Sequence, residues 1–76
     1  MERKVAVKKI YRHFKNKLYF VEDIATNTET EEVMVVYRAL YGEYKLFVRP
    51  IDMFLEKVPK EKENPTGQEY RFMEVE

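Results

Sequence analysis

The stretch VMVVYRALY, residues 33–41, decides the fold. β-Branched and aromatic side chains fit a pleated, partly buried surface, so this run predicts a central strand with both faces partly covered. The two faces given by strict alternation are Val33, Val35, Tyr37, Ala39 and Tyr41 on one side, and Met34, Val36, Arg38 and Leu40 on the other. Gly42 then predicts a short turn, because glycine accepts the positive φ that other residues resist.

Two strands are predicted before this central one. Residues 9–14 and the run LYFVEDIAT at 18–26 are rich in strand-forming side chains, and Asn16-Lys17 makes a tight connection between them. The stretch at 27–32 has no apolar residue and predicts the loop that leads into the central strand. The amino-terminal half is therefore an antiparallel series of three strands.

The carboxy-terminal half predicts a short strand, a helical turn and a closing strand. The short strand over 46–48 must stop at Pro50, which has no N–H to donate to a ladder. Apolar residues recur at helical spacing in 51–58 and predict one or two helical turns. Alternation returns at 69–75. The order predicts a mostly β fold: a small five-stranded, strongly curled antiparallel sheet or a Src-homology-3-like barrel with one short helical turn.

The chain is predicted to be one domain, because 76 residues have room for a single compact core. Residues 1–8 form a basic arm, 9–58 carry the main body, 59–68 predict a flexible loop, and 69–75 form the closing strand. No apolar run reaches the roughly 20 residues that span a bilayer, and no signal peptide is recognised. A cytoplasmic location is the expectation.

Composition excludes several kinds of chemistry. The chain has no cysteine and no serine, and it has one histidine, His13. Disulfides, thiolate zinc sites, cysteine nucleophiles, Ser-His-Asp triads and multi-histidine metal sites are therefore excluded. The sequence predicts no catalytic residue, no cofactor and no metal, and we expect a protein that is not an enzyme. An enzyme that uses carboxylates is the most distant alternative.

Charge is unevenly distributed although its total is zero. Residues 1–17 hold seven basic side chains against one acidic one, and 18–44 hold six acidic side chains against one basic one. The basic arm can meet phosphate, or it can lie beside the acidic hairpin of its own fold, and the second interpretation is favoured because charge runs are usually solvated faces.

A set of short motifs carries a family resemblance. They are, in order, YRHFK at 11–15, Tyr19 with Val21 and Ala25, VVYRALYG at 35–42, VRP at 48–50 and MF at 53–54. The chain resembles a family of small bacterial and archaeal domains of unknown function with the pattern YRHFKG…VVYRALYG…WVRP…MF. Asn16 stands where the family has glycine, and Phe47 stands where it has tryptophan. The resemblance implies the fold and brings no activity with it.

The candidate binding residues are aromatic and cationic side chains within these motifs and turns. They are Tyr11, Arg12, His13, Arg38, Tyr41, Tyr44, Phe47 and Arg49. Arginines beside exposed aromatic rings are typical of a peptide groove, a single-stranded nucleic-acid platform or a dimer interface. For the arginines, the favoured interpretation is cross-strand pairing of each with an acidic residue on the next strand, Glu22 or Asp23 for example.

The sequence therefore predicts an interaction module that binds a protein segment or a nucleic acid. The alternative is a structural or regulatory homo-oligomer that buries the same surface against a second copy. A protein partner or self-association is favoured, a single-stranded nucleic-acid role is disfavoured, and no membrane role is expected.

Overall fold

A computed structural model of the protein describes residues 4–75. These residues form five strands and one short helix. In chain order they are β1 Ile10–His13, β2 Lys17–Thr26, β3 Val33–Ala39, β4 Leu46–Pro50, α1 Ile51–Phe54 and β5 Phe72–Glu74. Within residues 4–75, no helix combines the length and the apolarity that crossing a membrane requires.

The strands form one antiparallel sheet in the order β4-β3-β2-β1-β5. The predicted mostly β class, the five antiparallel strands and the single short helix are confirmed. The predicted closure is wrong: the sheet is neither a Src-homology-3-like barrel nor strongly curled, because β4 and β5 are its two outer strands. After β4 the chain crosses one face of the sheet instead of pairing β4 with the strand that ends the fold.

The crossing also explains why the helix is shorter than predicted. The Leu55 N–H donates to the Ile51 carbonyl, which completes a single turn. The chain then becomes extended and pairs with the segment before β5: the Glu56 carbonyl accepts from the Arg71 N–H, and Lys57 bridges Tyr70. The expected helix over 51–58 is therefore confined to 51–54, and the expected strand over 69–75 to 72–74.

The core lies on the sheet face that α1 crosses, which we call the covered face. Its buried members are Tyr11, Val21, Val35, Tyr37, Phe54 and Phe72. Phe54 is the residue of α1 that reaches them, and its ring stacks on Phe72 with centroids 4.1 Å apart and planes 4° apart. The opposite face, called here the open face, carries the alternate residues of each strand, for example Val36 and Arg38 of β3, which are half-buried.

The described part of the basic arm lies against the sheet. The Lys8 N–H donates to the Val21 carbonyl at 2.7 Å, and the Ala6 N–H donates to the Tyr11 hydroxyl at 2.8 Å. Val5 packs on the core. Residues 1–3 of the arm lie outside the described residues.

The carboxy-terminal end of the loop at 59–68 is hydrogen-bonded to β1 and to the residue that follows it. The Thr66 hydroxyl donates to the Phe14 carbonyl at 3.2 Å, and the Gln68 side-chain amide donates to the Arg12 carbonyl at 3.1 Å. Mobility of the loop stays a prediction.

Candidate functional site

The eight candidate residues do not form one surface. Tyr11 is in the core, Arg12 and Arg38 are on the open face, and Tyr44 is in the β3–β4 turn. The other four, His13, Tyr41, Phe47 and Arg49, lie on the covered face. Five of the eight candidates therefore lie on the covered face, and all of these except the buried Tyr11 are at least partly exposed.

Tyr11 is a correction to the predicted binding set. Its side chain is 2% exposed, its ring meets Phe54 edge-on at 5.4 Å, and its hydroxyl accepts a hydrogen bond from the Ala6 N–H. A ring with this burial has no surface left for a ligand. Tyr11 is a core residue because alternation along β1 directs it towards α1.

The arginines of the open face are held by neighbours within the fold. Arg38 Nε donates to Glu22 at 3.3 Å, and its Nη1 donates to the Tyr44 carbonyl at 2.8 Å. Lys8 lies 3.9 Å from the same Glu22 carboxylate. The predicted cross-strand pairing of Arg38 with Glu22 is thus confirmed, whereas Arg12 donates to the Asn16 side chain of its own hairpin at 3.0 Å.

The covered face contains an aromatic cluster centred on Tyr19, called here the Tyr19 cluster. The ring of Tyr19 contacts five other rings, with centroid distances between 5.3 and 6.5 Å: those of His13, Tyr37, Tyr41, Phe47 and Phe72. All five contacts are edge-on, the geometry that the quadrupoles of aromatic rings favour. The cluster runs from the core, where Phe72 is buried, to the surface at Tyr41 and Phe47.

A hydrogen bond between hydroxyls fixes the exposed end of the cluster. The hydroxyl oxygens of Tyr19 and Tyr41 lie 2.5 Å apart. Burial of the Tyr19 hydroxyl, followed by this bond, raises the pKa of Tyr19 above its ordinary value. The group therefore stays protonated at neutral pH and cannot act there as a base.

Arg49 lies beside this cluster. Its Nε donates to the Tyr37 hydroxyl at 3.2 Å. Within residues 4–75, Arg49 has no carboxylate within ion-pair distance. A second cation, Lys17, lies 5.1 Å from the centre of the Tyr41 ring.

Burial, and then nearby cations, lower the pKa of His13. Its pKa is lowered from 6.5 to about 4, chiefly by burial and then by the cations Arg71, Arg49 and Lys15. Of these, Arg71 forms an ion pair with Glu56. The imidazole Nδ1 accepts a hydrogen bond from the Lys15 N–H at 3.1 Å, so that atom holds the turn between β1 and β2.

The lowered pKa of His13 predicts a specific dependence of stability on pH. The pKa of His13 is 6.5 in the unfolded chain and about 4 in the folded chain. Between these pH values the unfolded chain binds a proton at His13 and the folded chain does not. The free energy of unfolding therefore falls as pH falls through this window. Because the side chain is partly exposed, we expect a loss of about 1–2 kcal/mol rather than the full linkage value. Urea unfolding of the parent and His13→Gln proteins from pH 7 to pH 4 measures it.

Carboxylates titrate in the same range in both proteins, so the difference between the two curves isolates His13. The parent should lose more free energy of unfolding than the variant. Parallel curves would show that the folded state binds the proton at His13 as readily as the unfolded chain does.

A shallow cavity of about 100 Å³ adjoins the exposed end of the cluster. Its lining residues are Ala39, Tyr41, Gly42, Glu43, Lys45 and Phe47. Gly42, one of these residues, has a φ of +60°, a conformation that glycine adopts without strain. Within the part of the chain that the structure describes, no three histidine, aspartate or glutamate side chains converge as metal ligands.

The sequence pointed to Tyr41, Phe47, His13 and Arg49, but it missed Tyr19 and Tyr37. Tyr19 lies in a strand-forming run, and its role depends on which residue stands opposite it. The register pairs Tyr19 with the small Ala39, which leaves the space that the neighbouring rings fill. Alternation places Tyr37 on a strand face and says nothing of its hydroxyl. That hydroxyl accepts a hydrogen bond from Arg49 because β4 lies beside β3.

Comparison with known proteins identifies the family. A family model described as "Protein of unknown function (DUF1653)" matches residues 9–74. The fold is similar to the crystal structure of a DUF1653 protein from Bordetella bronchiseptica, with a TM-score of 0.74 and 31% sequence identity over 90% of this chain and 85% of that one. No curated protein matches. The chain belongs to the DUF1653 family, whose function is unknown.

Proposed function

We propose that this chain is a non-enzymatic binding module whose ligand is an acidic segment of another protein. The binding surface is the exposed end of the Tyr19 cluster together with Arg49. Exposed rings supply apolar contact area, and a guanidinium supplies directional hydrogen bonds to a carboxylate. The alternatives are a homo-oligomer that buries this surface and, more distantly, a single-stranded nucleic-acid binder.

The observation that carries the proposal is the state of Arg49. Its side chain is half-buried, and its Nε donates to Tyr37, while no carboxylate of residues 4–75 neutralises it. Removing a charge from water without a partner costs free energy. By contrast, Arg38 and Arg71 both have carboxylate partners. A ligand carboxylate would form an ion pair with Arg49, as Glu22 does with Arg38.

The placement of the amino-terminal cations favours a protein ligand over a nucleic acid. Lys8 pairs with Glu22, and Arg12 is bound to Asn16 on the open face, away from the cluster. A nucleic-acid backbone needs several cations along one path, because affinity comes largely from phosphate contacts. Here the cations are divided between two faces of the sheet.

The state of His13 supports a binding role rather than catalysis. A general base works best with a pKa near the operating pH, whereas the pKa of His13 is about 4. Its Nδ1 is occupied by the Lys15 N–H. The aromatic rings that surround it, those of Phe14, Tyr19 and Phe72, offer it no group to activate as a nucleophile at neutral pH.

A display library of ten-residue peptides tests the proposal. With the parent protein as bait, we expect enrichment of sequences with aspartate or glutamate beside an apolar residue. Replacing Arg49 with glutamine should weaken the selected peptides about tenfold or more, the effect of losing a charge-assisted hydrogen bond. Arg12→Gln is the matched control on the open face and should leave binding unchanged.

Two results would contradict the proposal. One is a library without acidic enrichment, or one whose binders are equally affected by Arg12→Gln. The other is tight binding of a fluorescent oligonucleotide that falls steeply with salt, because a log–log slope near −0.7 per contacted phosphate is typical of single strands.

A further inference from the structure

The strand β4 forms one outer edge of the sheet. Its first three residues are large and apolar, and they are exposed: Leu46 by 50%, Phe47 by 40% and Val48 by 60%. Among residues 4–75, the strand hydrogen-bonded to β4 is β3, on its inner side. Proteins usually protect such edges with charges, bulges or a covering segment, because a free edge accepts another strand. Over 46–48, β4 has no charge and no bulge.

The register determines which main-chain groups of β4 are free. The Ala39 N–H donates to the Lys45 carbonyl, and hydrogen-bonded pairs recur at every second residue of an antiparallel ladder. Phe47 and Arg49 therefore direct their main-chain groups to β3. Leu46 and Val48 direct theirs outwards.

Pro50 fits the same alternation. It occupies an outward position, where its missing N–H removes no bond to β3. Proline is therefore tolerated in this strand, and its carbonyl, as the N-cap of α1, accepts the first hydrogen bond of that helix. The outer edge of β4 offers the N–H and carbonyl groups of Leu46 and Val48, which are two donors and two acceptors.

We propose that β4 pairs antiparallel with β4 of a second copy of this chain, about a two-fold axis at Val48. In this register Val48 lies opposite its own counterpart, Leu46 lies opposite Pro50, and Phe47 lies opposite Arg49. The two Val48 residues exchange both main-chain hydrogen bonds. Two main-chain hydrogen bonds therefore join the copies at the axis, and the sheets merge into one of ten strands.

The side chains are self-complementary in this register, which is what a two-fold interface requires. Phe47 and Arg49 project on the covered face, so the ring of one copy meets the guanidinium of the other, a favourable cation–π pair. Leu46, Val48 and Pro50 project on the open face and form an apolar row. No like charges face each other across the axis.

The same argument favours a second copy over an unrelated strand. Arg49 carries a hydrogen bond from its Nε to Tyr37 that leaves its other nitrogens available. An arbitrary strand would have to supply an aromatic ring at one position and an apolar row at the other. The chain's own β4 supplies both in order.

Pairing also changes the surface that is proposed to bind an acidic segment. This consequence rests on the proposed function, whereas the pairing itself does not. The two Tyr19 clusters become neighbours across the axis, with Phe47 of one copy beside Arg49 of the other. An acidic segment bound at one cluster can then reach the second. The dimer would offer one continuous surface with two arginines.

Sedimentation velocity of the full chain over a range of concentrations tests the pairing. We expect the mass to rise from 9.3 kDa towards twice that value as concentration increases. Val48→Pro removes an outward N–H that makes no bond to β3, and Val48→Lys places two like charges on the axis. Both variants should remain monomeric at every concentration, with circular dichroism like that of the parent.

Met73→Lys is the matched control, because it adds the same charge at an exposed apolar residue on the opposite outer strand, β5. It should still dimerise. A parent that stays monomeric at every concentration, a dimer that survives both Val48 variants, or a dimer lost in Met73→Lys would overturn the pairing. Failure of the proposed function is separate: it gives an unenriched peptide library whatever mass the protein has.

Discussion

Replacing Phe54 with alanine is expected to lower the free energy of unfolding by about 3–5 kcal/mol, the usual cost of truncating a buried aromatic ring. Phe54 is fully buried and stacks on Phe72 at 4.1 Å. It also meets Tyr11 and Tyr37 edge-on at 5.4 and 5.5 Å. Removing it leaves a cavity between α1 and the sheet.

The effect is large because α1 is a single turn and cannot be stable alone. Helices of this length are marginal in water, so its place on the sheet depends on the ring it buries. The segment that follows pairs with residues before β5, so loss of the anchor also loosens the carboxy-terminal strand. A small domain has a total stability of about 5–15 kcal/mol, of which this loss is a major part.

Urea unfolding followed by circular dichroism measures the change. The control is Met53→Ala, which shortens the neighbouring side chain of α1 at an exposed position. It should cost less than about 1 kcal/mol, as surface substitutions usually do. If Phe54→Ala and Met53→Ala unfolded at the same urea concentration, α1 would not be the cover of the core.

Local patterns were sufficient to predict the strands, and tertiary pairing decided the rest. The alternation in 33–41 predicted β3, whose inward residues Val35, Tyr37 and Ala39 are buried. Closure into a barrel failed because the segment after α1 pairs with residues 69–71, and nothing local in either segment specifies that partner. The helical spacing over 51–58 predicted a longer helix than α1 for the same reason, because the residues after 54 pair with the segment before β5.

The candidate site was predicted in part because residue type can be read from sequence and residue position cannot. Exposed aromatics and arginines were recognised by composition. Their division between two faces depends on the register, in which β2 carries a bulge between Val21 and Asp23 that shifts the residues after it. The central position of Tyr19 in the cluster could not be predicted, because it depends on the register that pairs Tyr19 with Ala39.

Replacing Tyr19 with alanine is expected to cost about 2–3 kcal/mol of stability and to change the titration of His13. The ring of Tyr19 contacts five other rings, and edge-on aromatic pairs contribute beyond the area they bury. Because the side chain is partly exposed, the loss is smaller than that for Phe54. Urea unfolding of the variant measures this first effect.

The second effect links the cluster to the candidate site. Burial is the largest cause of the low pKa of His13, and the Tyr19 ring lies 6.1 Å from the imidazole. Removing the ring admits water, so the pKa of His13 should rise from about 4 towards its ordinary value of 6.5. Because His13 is the single histidine of the chain, its ring proton resonances report this titration directly.

Two control variants separate the ring from its hydroxyl. Tyr19→Phe and Tyr41→Phe each remove the hydrogen bond between the two hydroxyls and keep every ring, so each should cost about 1 kcal/mol and leave the pKa of His13 near 4. Tyr44→Ala removes an exposed ring outside the cluster and should change neither quantity. If Tyr19→Ala behaved like Tyr44→Ala, the Tyr19 ring would not organise this surface, and Arg49 would lie beside independent side chains.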